Sequence, residues 1–95
     1  MTQHTWPKQL VAYQTSPVFT ETTVPTRLQK AHDTKAGTWA KLIVQTGALT
    51  YVVEETGATQ HVDAENVGLI FPQQLHHVEI SEPVTFYLEF YREPD

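Results

Sequence analysis

An all-β fold, an antiparallel sandwich or barrel in one domain over residues 1–95, is what this chain predicts. Three observations carry that prediction. Apolar and polar residues alternate through Thr38–Thr46 and again through Val84–Tyr91. Valine, threonine and aromatic residues gather in short runs, with glycine, proline or aspartate turn signals between them at close spacing. No stretch repeats its apolar residues at helical spacing.

Composition sets the outer limits. A chain of 95 residues is one domain, near the small end at which a single core holds a fold. It has no cysteine, which excludes disulfides, thiolate catalysis and cysteine-ligated zinc or iron–sulfur centres. Hydrophobic residues at 40% with only four glycines argue for a packed globule. The net charge of −5 disfavours nucleic acid and anionic membrane surfaces as partners. No apolar run is long enough for a transmembrane helix, and Pro7 with its polar neighbours stands where a signal peptide would need an apolar core. A cytoplasmic protein is the expectation.

In chain order, Met1–Lys8 reads as a loose start with His4 a bystander. Gln9–Gln14 is a short strand ended by Thr15-Ser16-Pro17, and Val18–Pro25 is extended. Thr26–His32 is read as a strand placing Leu28, Lys30 and His32 on one face, although its residues also tolerate a short helix. Asp33–Gly37 is a turn. Thr38–Thr46 is the clearest strand, and Gly47 supplies a tight turn into the strand Ala48–Val53. Glu54–Ala58 turns at Gly57, Thr59–Asp63 is a brief strand and Ala64–Asn66 a turn. Val67–Phe71 and His76–Ile80 are strands on either side of a stop at Pro72, which cannot donate to a ladder. After Ser81-Glu82-Pro83, the last strand puts Phe86, Leu88 and Phe90 on one face and Tyr87, Glu89 and Tyr91 on the other.

The chemistry-bearing residues are histidines and carboxylates. No Gly-x-Ser-x-Gly elbow and no phosphate-cradling glycine loop is present, so nucleophilic hydrolysis and nucleotide-fold cofactor sites, S-adenosylmethionine included, are not expected. His76 and His77 open a strand, and alternation lets only one of them face the interior. His32, His76 or His77, and Glu89 converge if the ends of their strands line one cavity, and two imidazoles with a carboxylate suit zinc or ferrous iron. The plainer readings are a solvated histidine pair at a rim, His32 decorating a turn, and Glu89 facing water on an edge strand. A glutamate inside an aromatic strand is costly unless paired or bound to metal. His61 is read as surface, and Trp39 and Tyr51 as core or interface.

The order His32, Lys35-x-Gly37-x-Trp39-x-Lys41-Leu42-x-Val44, Gly47-x-Leu49-Thr50-Tyr51, Phe71-Pro72-x-x-x-His76-His77-Val78-Glu79 and Phe86-Tyr87-x-Glu89-Phe90-Tyr91 resembles the tellurite-resistance-protein-related (TehB/YeaR-like) family of small domains, from about Tyr13 to Arg92. Such domains occur alone or ahead of a methyltransferase domain and are similar to cupins. The resemblance therefore implies a cupin-like double-stranded β-helix, or jelly roll. It also implies a divalent metal, zinc or iron, on His32, His76 and Glu89, with His77 as ligand-binding residue or alternative metal ligand. Gly68–His76 reproduces the second cupin motif, whereas the first motif departs, with Ala40 where its glutamate would stand. The function so implied is a metal-binding domain in a stress or toxic-oxyanion response that binds a small molecule or small anion. The alternative is a metal-free anion sensor or protein-interaction module. Two strand candidates without evident cover, Leu10–Gln14 and Phe86–Tyr91, further suggest a homodimer.

Overall fold

The computed structural model describes residues 6–94, so His4 and the rest of residues 1–5 lie outside the described residues. Among the described residues, seven strands are formed: β1 (Val11–Thr15), β2 (Phe19–Thr20), β3 (Trp39–Val53), β4 (Thr59–Asp63), β5 (Gly68–Ile70), β6 (His76–Glu79) and β7 (Val84–Arg92). Every pairing is antiparallel. The fold is all-β, as the alternation predicts.

β3 organises the whole. Its first half pairs with β7 on one side and β5 on the other, and β7 continues outward to β1 and β2. Its second half pairs with β4 and β6, which form a second sheet. Ala40, Leu42 and Val44, then Leu49 and Tyr51, point inward along it and are buried. They meet Val62 of β4, Val78 of β6, and Val84, Phe86 and Leu88 of β7, with Phe86 and Val62 wholly enclosed.

Three expectations are corrected here. Gly47 is not a hairpin turn between two strands. β3 runs through it for 15 residues, bending where the register slips between Val44 and Thr46. Gly47 has φ +76°, and a Cβ there would stand 2.1 Å from the Pro83 carbonyl oxygen, so β7 backs directly onto the bend. Thr26–His32 is not a strand. Pro25 opens a single 3-10 turn, Thr26–Gln29, in which the Leu28 N–H donates to the Pro25 carbonyl at 3.0 Å and the Leu28 side chain is buried. Nor are the first and last strands two bare edges. Ala12 pairs with Tyr91 and Thr15 with Glu89, so β7 is an interior strand and, of these two, β1 is the one that remains exposed. Among the described residues, no helix is long and apolar enough to cross a membrane.

Candidate functional site

The turn after Pro72 builds the site. Gln73 takes φ 58° and its N–H donates to the Thr34 carbonyl at 2.6 Å, tying the turn to the loop that follows His32. The chain then enters β6, and alternation sends His76 inward and His77 outward. His76 is 2% exposed. A two-residue bridge fixes its partner: the His32 N–H donates to the His76 carbonyl at 3.0 Å and the His76 N–H to the His32 carbonyl at 2.8 Å. The two imidazoles meet edge to face, with centroids 4.4 Å apart.

Both rings line a cavity of about 320 Å³ between the sheets. Its floor is apolar, made by Ala40, Leu42, Val78, Phe86 and Leu88, and its lip carries Arg27, Asp33 and Lys35. An apolar chamber with a few convergent polar groups is the ordinary form of a small-molecule site. The tautomers follow from the neighbours. His32 Nδ1 lies 3.0 Å from the Lys30 carbonyl and His76 Nδ1 2.6 Å from the Gln74 carbonyl. A carbonyl only accepts, so each Nδ1 carries a hydrogen, and a ring in its neutral form keeps Nε2 as an acceptor. Burial, which disfavours the charged ring, holds His76 below its ordinary range despite the Gln74 bond.

The remaining candidates lie elsewhere. His77 is on the outer face, with Nδ1 on a Glu54 carboxylate oxygen and Nε2 3.0 Å from Glu79. These bonds, Glu79 first and Glu54 next, raise it above the ordinary histidine range. Glu89 is one residue out of step with Leu88 and therefore faces away from the cavity. It accepts from the Tyr91 hydroxyl, which burial and this bond push up to about 12. Among the described residues, no group of three or more His, Cys, Asp and Glu is placed to hold a metal ion. His61 lies 3.3 Å from Asp63 with its ring largely in water. Nothing in the sequence marks Arg27 and Lys35 as lip residues, since each looks like any surface cation.

The neighbouring histidines should titrate with opposite signs. His76 is lowered, so stability is lost as pH falls below the unfolded value near ~6.5. His77 is raised, so its contribution is full below about pH 6.5 and disappears as pH rises through its folded value. Thermal melts from pH 5 to 9 should show His77→Gln destabilised most at pH 5–6, and His76→Gln with a flatter acid limb than the parent. The same pH trend in both variants would refute the assignment.

A family model described as a TehB-like domain matches residues 14–88, which takes in both cavity histidines, the turn and most of both sheets. The chain belongs to the TehB-like family. It is 35% identical over 89 residues to a probable S-adenosyl-L-methionine-dependent methyltransferase TehB of Haemophilus influenzae (strain ATCC 51907 / DSM 11121 / KW20 / Rd), covering 87% of this chain and 31% of the relative. The counterpart from strain 10810 is 34% identical over the same length. The crystal structure of TehB from Haemophilus influenzae superposes with a TM-score of 0.80 at 34% identity, covering 90% of this chain and 32% of that one. A crystal structure of an E. coli (strain K12) protein shares the fold at a TM-score of 0.83 and 18% identity, covering 98% of this chain and all of that one.

These relatives overturn the metal-binding cupin reading and its divalent zinc or iron. The TehB-like relatives are named for S-adenosyl-L-methionine and methyl transfer, and Glu89 points away from the two histidines. The chain spans about a third of the length of the curated relatives it matches (31%). Its own residues do not fit S-adenosyl-L-methionine in the way nucleotide folds hold it, on a glycine-rich turn leading into a helix. Gly47 is packed on Pro83, Gly68 lies against Val62 and Leu42, and Gly37 and Gly57 sit in open turns. The one helical piece among the described residues is the four-residue 3-10 turn.

Proposed function

We propose that this TehB-like domain binds a small hydroxylated acid in the histidine cavity, and that methyl transfer belongs to a separate domain or protein. The observation that carries the reading is the pair of rings, His32 and His76, each held by a backbone carbonyl at Nδ1 within one apolar chamber. Two Nε2 acceptors call for a ligand that donates, such as a hydroxyl. Arg27 and Lys35 at the lip outnumber its one carboxylate, Asp33, and call for one that is also negative. The apolar floor receives the rest of the molecule. In the same reading residues 1–95 form one domain with a jelly-roll wrapping of its two sheets. It works in the cytoplasm and pairs with a second copy through the exposed edge of β1.

The test compares mandelate, which has an acid, a hydroxyl and an apolar ring, with phenylacetate, which lacks the hydroxyl. Mandelate should shift the backbone amide signals of Thr38, Ala40 and Val78 and bind roughly three- to tenfold more tightly than phenylacetate. His32→Ala should remove that preference, Arg27→Gln should weaken both acids, and His61→Ala should change neither. Equal binding of the two acids by the parent chain, or no response at these amides, would overturn the reading.

A further inference from the structure

A second cleft lies where the two sheets stay open. β5 and β4 are edges of different sheets, each paired with β3 and not with the other. The gap between them encloses about 690 Å³, walled by Val53, Val67, Leu69 and Phe71. Gln60 Nε2 of β4 donates to the Val67 carbonyl at 3.1 Å and ties one end of the gap. Tyr51 lines this cleft and not the histidine cavity. It is 2% exposed, and its hydroxyl has no hydrogen-bond partner among the described residues. Buried hydroxyls are rarely left so, because the lost hydration is not replaced. Gln74, 9% exposed, lines the same cleft. Among the described residues, the lining holds one carboxylate, Glu55, and no basic side chain.

We propose that this cleft is a second binding site, for a small neutral or cationic molecule with an apolar body and one carbonyl or hydroxyl oxygen. The body rests on Val53, Leu69 and Phe71, and the oxygen accepts from the Tyr51 hydroxyl. Burial keeps that hydroxyl protonated well above its ordinary range, so it donates throughout neutral pH. The site is independent of the acid site in its chemistry but touches it in space. The Tyr51 ring is 5.3 Å from that of His76, and the Gln74 carbonyl receives the His76 Nδ1 hydrogen.

The probe is benzamide, titrated into the isotopically labelled full chain with backbone amide signals observed. Tyr51, Val53 and Gln74 should shift saturably in the millimolar range while Thr38 and Ala40 stay in place. Tyr51→Phe should melt at or above the parent temperature, since it deletes a hydroxyl that has no partner. It should bind benzamide roughly three- to tenfold more weakly. The proposal is overturned if benzamide perturbs the histidine cavity instead, gives no saturable shift, or binds Tyr51→Phe as well as the parent. It is equally overturned if Tyr51→Phe melts several degrees lower, which would place a partner for the hydroxyl inside the fold.

Discussion

Replacing Phe86 by alanine should lower the melting temperature by about 15–30 °C. The side chain is 0% exposed and stands at the centre of the core. It lies opposite Val44 of β3 on one side and Phe19 of β2 on the other, with the Phe19 ring centroid 5.7 Å away. Truncating a buried phenylalanine costs about 3–5 kcal/mol, and each kcal/mol moves the midpoint of a domain this size by roughly 4–8 °C. The void would open into the existing cavity, so the floor of the histidine cavity is lost together with the packing. Denaturant unfolding should show the same loss as a lower midpoint at an unchanged slope. A shift under about 5 °C would mean that Phe86 is not the keystone described here.

Gly47→Ala should be of similar size, about 3–5 kcal/mol, for a different reason. Left-handed backbone at φ +76° penalises any side chain, and the added Cβ would also stand 2.1 Å from Pro83 O and 3.0 Å from Val84 Cα. Both obstacles are backbone, so relief requires β7 to move away from β3. Gly37→Ala and Gly57→Ala separate the two causes. They share the positive φ but meet nothing within 4 Å among the described residues, and should lose only about 1–2 kcal/mol each. If all three variants melt together, the close approach at Gly47 contributes nothing.

The sheets were largely legible because alternation is a local signal. Ala40, Leu42 and Val44, and Phe86 with Leu88, announce their buried face in the chain itself. Gly47 misled because a positive-φ glycine serves a hairpin and a bent strand equally well. What decides between them is Pro83, 36 residues further along the chain. Thr26–His32 misled because Pro25 starts a turn as readily as it ends a strand. The site was legible only in part. That one of His76 and His77 faces inward follows from strand geometry, but which one depends on the turn at Gln73. The nearness of His32 depends on a single bridge that no spacing reveals. Glu89 shares a face with Tyr87 and Tyr91, so strand alternation gives it no reason to meet a group that looks inward with Leu88. Tyr51 gives no sign in the sequence of its unpartnered hydroxyl.

The passage of β3 from one sheet into the other governs how the molecule comes apart. Leu42 and Tyr51 lie on one continuous strand, yet their ladders run to β5 and β7 in the first case and to β4 and β6 in the second. Neither half can fray without pulling on its continuation. The two layers are therefore not separate folding units, and unfolding has to proceed as one cooperative event. Every partner of β3 follows it in the chain, and β7 closes the first sheet last, so assembly must wait for distant segments to return. Slow, all-or-none folding is the kinetic consequence of giving one strand to two sheets.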